Sequence, residues 1–367
     1  MFLFLFLLGY FIPHAYLFFR IRKHFINSAY WLVFLMAYLT LAILLPVIAI
    51  GFYNSNSFLG DILIDSTGYL MALYFYLFFM VLLFDLFLLF NHFTRFIKTD
   101  TIKNFRFKWF TFSGMLLISI VTIIYGVVNL NNLKVSAYDI EIPCKNSKLT
   151  RLKIVFAADF HIDGNRSLNY VKKFVQMSNQ LHPDIVLLGG DIIEGSQENE
   201  AIEKEFRQLN PPMRTYSVLG NHEFYAGKED GIFFKNSGIL LLNDTLLLID
   251  SSFYLAGRYD EHFKSRKSLS NLIKNYKDGL PLILLAHRPL HLDETAKTPV
   301  NIQFSGHTHN GQLFPVNFII NQIYELAWGH RKIGNTHFFV TSGLHLWGPP
   351  VKTIGKSEIM LVNVVFR

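Results

Sequence analysis

Residues 152–161 read Leu-Lys-Ile-Val-Phe-Ala-Ala-Asp-Phe-His. Such an apolar run is what a strand covered on both faces needs, and it stops abruptly at an aspartate and a histidine two positions apart. Four more breaks of this kind follow in order: Gly190-Asp191 after 185–188, Gly220-Asn221-His222-Glu223 after 215–219, Ala286-His287-Arg288 after 282–286, and Gly306-His307-Thr308-His309 after 302–304. Each run predicts a strand, and each break places an oxygen or imidazole ligand at its exit. Between them, Leu168–Gln180 has helical spacing with Val171, Phe174, Val175 and Ser178 on one side, and 198–209 reads as a polar helix. Further apolar runs at 239–249, 253–256, 337–341 and 359–366 complete a mixed pattern. Strands interleaved with helices predict a layered α/β sandwich, with its site where strands end.

The ligand chemistry is specific. Carboxylates, imidazoles and one carboxamide, with no cysteine among them, suit divalent Mn, Fe or Zn better than a structural thiolate site. The single Cys144 excludes an intramolecular disulfide. Side chains two apart on extended backbone point the same way, so Asp-x-His and His-x-His are expected to aim both groups into one pocket. Glycines 189, 190, 220 and 306 permit close backbone approach beside them. A lone His-x-His means little; five such breaks in order are a strong signal.

Over residues 150–367 the pattern resembles the calcineurin-like metallophosphoesterase superfamily. It most resembles the membrane-associated bacterial YkuE- and YaeI-like branch, in which the Gly-His-Thr-His block runs on into Gly311-Gln312 and Pro315 and a late Trp347-Gly348-Pro349-Pro350 segment recurs. The resemblance implies a layered metallophosphoesterase sandwich and two divalent metal ions. It assigns Asp159, His161 and His309 to the first ion and Asn221, His287 and His307 to the second, with Asp191 bridging. It makes His222 the imidazole that protonates the leaving oxygen, after metal-activated hydroxide attacks phosphorus. Arg288 reads equally well as a group binding substrate phosphate or as half of a surface ion pair, and Gln312 is expected to line the substrate pocket. Asp163 and Glu223 read equally well as groups orienting ligands or as solvated acids, and Trp328 and Trp347 read as core.

Composition divides the chain. Overall it is 51% hydrophobic, 16% aromatic and only 17% charged, with mean hydropathy +0.30, and the excess lies in residues 1–130. Stretches 2–19, 30–52, 69–90 and 109–128 approach or exceed the roughly 20 apolar residues that span a bilayer. The expectation is a four-helix transmembrane region over 1–130, a connector over 131–149, and the enzyme from 150 to 367. The first stretch is not expected to be a cleaved leader, because Arg20, Arg22 and Lys23 follow it rather than precede it. Lys and Arg crowd the first joint and the third (Arg95, Lys98, Lys103, Arg106, Lys108), while 53–68 has none. The positive-inside rule then puts a multi-pass protein in the inner membrane with its catalytic domain on the extracytoplasmic face. Asp85, inside the third stretch, reads either as a functional intramembrane carboxylate or as a side chain reaching the interface near Asn91 and Arg95, and no role is assigned to it.

The expected activity is hydrolysis of a phosphodiester or pyrophosphate of an envelope or lipid-linked substrate, with the lipid bilayer as partner. A nuclease or cyclic-nucleotide phosphodiesterase is the alternative, as is a sensor or scaffold whose domain only binds ligand. Much of the net charge of +7 sits in the short joints, and the later half has no Arg/Lys stripe interleaved with aromatics, so nucleic acid is not expected.

Overall fold

The computed structural model describes residues 2–26, 28–52, 57–144, 147–195, 200–277 and 279–367, which fall into two units, Met1–Tyr125 and Gly126–Arg367. Trp31–Gly51 and Phe58–Thr94 in the first unit, and Phe105–Asn131, whose last turns from Gly126 belong to the second, are long and apolar enough to cross a membrane. In each, only 11% of the most apolar window is buried, so the hydrophobic side chains face outward as a lipid solvent requires. The sequence predicts a fourth span at 2–19. Its backbone lies within a helix over Phe2–Phe25, but residue 1 and the side chains of 2–9 lie outside the described residues, and the count among those described is three.

Phe58–Thr94 starts well before the stretch read from hydropathy. Ser57 caps it, its Oγ accepting from Gly60 N at 3.0 Å, with Asp61 in the first turn. At 37 residues the helix is about 55 Å long, more than the ~30 Å hydrocarbon core needs. The Asp85 carboxylate accepts from the Tyr16 hydroxyl and the Arg20 guanidinium, so an intramembrane charge is paired as burial in an apolar medium demands.

The second unit contains the strands β1 (Lys134–Ile142), β2 (Arg151–Ala157), β3 (Ile185–Leu188), β4 (Thr215–Ser217), β5 (Leu240–Leu241), β6 (Thr245–Ile249), β7 (Phe253–Arg258), β8 (Leu282–Ala286), β9 (Ile302–Ser305), β10 (Gly329–Ile333), β11 (Thr336–Val340) and β12 (Glu358–Phe366). They form two six-stranded sheets, ordered β1-β12-β2-β3-β4-β5 and β10-β11-β9-β8-β7-β6. β2, β3 and β4 run parallel in the first, β7, β8 and β9 in the second. Alternation explains the unbroken apolar run in β2. Ile154 and Phe156 enter the core between the sheets with Phe304 and Phe339, while Val155 and Ala157 face the opposite layer with Val171 and Phe174. Leu168–Gln180 supplies that layer through Val171, Phe174, Val175 and Ser178.

Three expectations need adjustment. Residues 134–142, read as connector, are β1, paired in parallel with β12 over nine residues. The run 239–249 is two strands in different sheets, because Asn243-Asp244 turns the chain with Asp244 at φ +46°. The helix expected over 198–209 is described as Glu200–Phe206; 198–199 lie outside the described residues.

Candidate metal centre

All five breaks arrive at one place. β2, β3 and β4 from one sheet and β8 and β9 from the other point their C-terminal ends together, and the exits carry Asp159 and His161, Asp191, Asn221 and His222, His287, then His307 and His309. Asp159, His161 and His309 bring ligand atoms within 4.8 Å of one another, and so do Asp191, His287 and His307.

The local backbone is not the extended one that two-residue spacing suggested. Asp159, His161, Asp191, His307 and His309 all have φ between +47° and +72°. Left-handed conformations on non-glycine residues cost about 1–3 kcal/mol each and persist where the surroundings enforce them. Here backbone bonds do so: Asp159 N donates to Gly190 O and His161 N to Asp191 O, both at 3.0 Å. Two glycines make room. A Cβ at Gly220 would lie 2.1 Å from Asp191 Oδ1, and one at Gly306 would lie 2.6 Å from Asp159 Oδ2.

The donor set fits a cation. His161 Nε2 and His309 Nε2 face each other at 3.1 Å. His161 Nδ1 is committed to Glu194 Oε2 at 2.6 Å, so its Nε2 points a lone pair inward. The buried carboxamide oxygen Asn221 Oδ1 has no hydrogen-bond partner. His287 donates from Nδ1 to Gly189 O at 2.8 Å, leaving Nε2 3.0 Å from Asp191 Oδ2. Buried polar atoms left unpaired around a shared centre are costly unless an ion satisfies them.

Electrostatics agree. Burial disfavours a charged His287, yet the adjacent Asp191 carboxylate outweighs it and raises the imidazole to about 10. The centre therefore demands positive charge, which a proton supplies when no metal does. Burial lowers His307 to about 3 and pushes His309 well below the usual range, leaving both neutral and able to ligate. Burial raises Asp159, whereas Asp191, also buried, is held well below the ordinary carboxylate range by His287.

Glu194, which sequence reading missed, is the most informative addition. Its carboxylate accepts from His161 Nδ1 and, at 2.7 Å, from His222 Nδ1. His222 thus keeps Nε2 free, 4.0 Å from Asp191 Oδ2. Burial works against the charged forms, but this pairing holds Glu194 well below its usual range and raises His222. The signal was an acid three residues after Asp191 in the same loop. Glu223 accepts from the backbone N–H groups of Gly220, Asp191, Ile192 and Ile193 at 2.6–3.1 Å, so it shapes the loop that carries Asp191. Asp163 pairs with Arg166 instead.

Other expectations shift. Arg288 is held by Asp260 Oδ2 at 2.9 Å and His262 Nδ1 at 2.8 Å. Gln312 gives its amide N–H groups to the carbonyls of Trp347 and Pro349, fastening that loop. Trp328 packs on the core and donates to Glu358 at 2.6 Å. Trp347 does not pack inside: it is 53% exposed, with its ring 6.3 Å from that of His222. Also unforeseen, Gly343 lies against Asp159 and His309, and its carbonyl with that of Ser342 accepts from the wholly buried Lys352.

The strand ends of this two-sheet α/β sandwich gather Asp, His and Asn around a centre that suits a cation. Residues 152–311 match the family described as Calcineurin-like phosphoesterase, and the chain carries that domain. It is similar to an uncharacterized metallophosphoesterase, Cj0846, of Campylobacter jejuni (28% identical, covering 99% of this chain and 98% of that one). It is also similar to the uncharacterized metallophosphoesterase YkuE of Bacillus subtilis (29%, covering 58% and 78%). A third relative is a transmembrane protein with metallophosphoesterase domain of Danio rerio (28%, covering 69% and 62%). The chain spans 63% of the length of the Helicobacter pylori relatives it matches. The apolar helices and the transmembrane relative together point to membrane association.

Proposed function

We propose that this chain is a membrane-anchored phosphoesterase that works with two divalent cations, Mn, Fe or Zn, and cleaves a phosphodiester or pyrophosphate of an envelope or lipid-linked substrate. The observation that carries the reading is the pairing of Glu194 with both His161 and His222, which joins a cation ligand to a proton donor. Asp159, His161 and His309 would hold one ion, Asn221, His287 and His307 the other, and Asp191 lies between the sets. When bound, such ions neutralise phosphate oxygens and activate water. The protein's own residues do the rest. Glu194 favours the protonated form of His222, which would deliver the proton from Nε2 to the oxygen that leaves. Arg288, anchored by Asp260 directly after ligand His287, adds positive charge for the substrate phosphate.

The basic joints at 20–23 and 95–108, against none at 57–68, support a multi-pass inner-membrane protein with the enzyme on the extracytoplasmic face. The test is hydrolysis of bis-p-nitrophenyl phosphate against p-nitrophenyl phosphate by detergent-purified full chain, stripped with chelator and reloaded with Mn²⁺. Diester cleavage that vanishes on stripping and returns with metal is expected. Metal-independent turnover would overturn the reading.

A further inference from the structure

Four of the large apolar side chains left exposed in the second unit fall within ten residues: Phe314, Phe318, Ile319 and Ile323, each 48–62% exposed. They occupy a loop and the helix Asn317–Ile323, which has no buried residue. The rings of Phe314 and Phe318 meet edge to face at 5.7 Å. From 314 to 324 the chain has no Lys, Arg, Asp or Glu. A short helix that buries nothing gains little stability in water, and a contiguous apolar patch marks a protein or membrane contact.

Two sets of contacts name what covers it. The patch is fastened to the loop 351–355: Phe314 N donates to Thr353 Oγ1 and Thr353 N to Gln312 O, both at 2.9 Å. The same loop grips the last turns of the apolar helix Phe105–Asn131. Lys352 N donates to Gly126 O at 3.1 Å, and Asn129 Nδ2 donates to Lys352 O at 2.9 Å and Gly355 O at 3.1 Å. The fit is tight, since a Cβ on Gly126 would lie 2.5 Å from Val351. A helix long and apolar enough to cross a membrane therefore ends on the loop that carries the patch. At the other side the patch borders the metal centre. It begins five residues after His309, and Tyr324, which follows it, has its ring 6.0 Å from that of His307.

We propose that Phe314, Phe318, Ile319 and Ile323 form a surface that sits in the headgroup region of the bilayer beside the metal centre. The inference rests on the phosphoesterase reading and adds the route of the substrate: a phosphorylated amphiphile reaches the cations from the lipid surface, not from bulk water. An uncharged apolar face suits such a seat, because insertion desolvates few polar groups and gains buried area.

The test uses the full chain in vesicles of phosphatidylethanolamine and phosphatidylglycerol. A spin label at Ile319→Cys, in a Cys144→Ser background, is expected to be relaxed by oxygen more than by a water-soluble nickel chelate; a control label at Leu248→Cys reads the reverse. In parallel, Phe318→Asp with Ile319→Asp is assayed on hexadecyl p-nitrophenyl phosphate held in the vesicles and on bis-p-nitrophenyl phosphate in water. The pair of changes lowers turnover of the bilayer ester by about tenfold or more and leaves the soluble ester within about twofold. A label at 319 that reads as aqueous, or an equal loss on both esters, overturns the proposal. Failure of the unsubstituted protein to cleave either ester would overturn the phosphoesterase reading instead, and the depth measurement would still decide the surface.

Discussion

The two halves of the metal centre use similar donors but hold them differently. On one side His161 leans on a charged carboxylate, Glu194, and faces His309. On the other, His287 leans on a neutral carbonyl, that of Gly189, and the Asn221 carboxamide oxygen lies buried without a partner. The difference matters because Glu194 also holds His222, whereas the Gly189 carbonyl orients a single imidazole. The imidazole of the proposed proton donor is thus tied to the first half through Glu194. Asp191, whose Oδ2 faces His287 while Oδ1 accepts from His222 N at 2.9 Å, touches both sides, and Asp159 joins them too by accepting from His307 N.

The largest effect should therefore come from Asp191→Ala. Both halves are expected to lose their cation, and turnover of bis-p-nitrophenyl phosphate to fall by at least about 10³-fold, the equivalent of a few kcal/mol of charge stabilisation. Elemental analysis of the purified variant checks it: a full equivalent of retained metal would break the claim that the halves share this carboxylate. His222→Ala tests the other side of the comparison. It removes no ligand, so metal content should hold while turnover drops by roughly 10²–10⁴-fold.

Glu194→Gln sharpens the asymmetry. It should weaken Mn²⁺ binding by about 10–100-fold, as loss of a carboxylate behind a metal-bound imidazole does, and act on the acid as well. In the proposed role His222 acts in its protonated form, and Glu194 raises its pKa above the ordinary imidazole value against the effect of burial. Activity must then fall as pH rises through that raised value, and removing the carboxylate moves the alkaline limb to lower pH. At the opposite half, a change behind His287 should alter metal affinity with the limb unmoved. An unshifted limb in the Glu194 variant, measured at saturating Mn²⁺, would sever His222 from Glu194.

The sequence was most readable where chemistry and burial coincide. A strand covered on both faces shows as an unbroken apolar run, and an ionisable group at its end is conspicuous; that is why the motifs name the residues that converge. What it hid was backbone direction. Nothing in Asp-Phe-His reveals that Asp159 and His161 adopt positive φ, because that conformation is imposed by bonds to Gly190 and Asp191 from the neighbouring strand exit. Glu194 was hidden for a related reason. An acid in a loop has no periodicity, and its meaning appears only when two histidines from other strands close on it. Trp347 was misread because tryptophan is usually buried, and the loop that lifts it beside His222 is fixed by a side chain far away in sequence, Gln312. The apolar run 239–249 concealed a change of sheet, since the turn at Asn243-Asp244 is only two polar residues long.

The smallest effect should come from Lys352, which stands behind the first half without touching substrate. Its ammonium is wholly buried and donates to Ser342 O at 2.6 Å and Gly343 O at 2.9 Å, in the loop lying against Asp159 and His309. Lys352→Met strands those two carbonyls, a cost of about 1–3 kcal/mol, read as a fall of roughly 2–4 °C in melting temperature per kcal/mol for a unit of this size. The pH dependence separates this from a simple packing defect. Burial lowers Lys352 from 10.5 to about 8, with Glu358 and Asp159 opposing. Between those values the unfolded chain holds a proton that the folded chain has released, so the native protein gains stability as pH rises across that window. The neutral amine still has N–H groups for both carbonyls, so the loop stays fastened while the charge penalty disappears. Melting curves of the two proteins should therefore diverge from pH 8 toward 10.5, and parallel curves would show that the buried amine keeps its proton across that window, as the unfolded chain does.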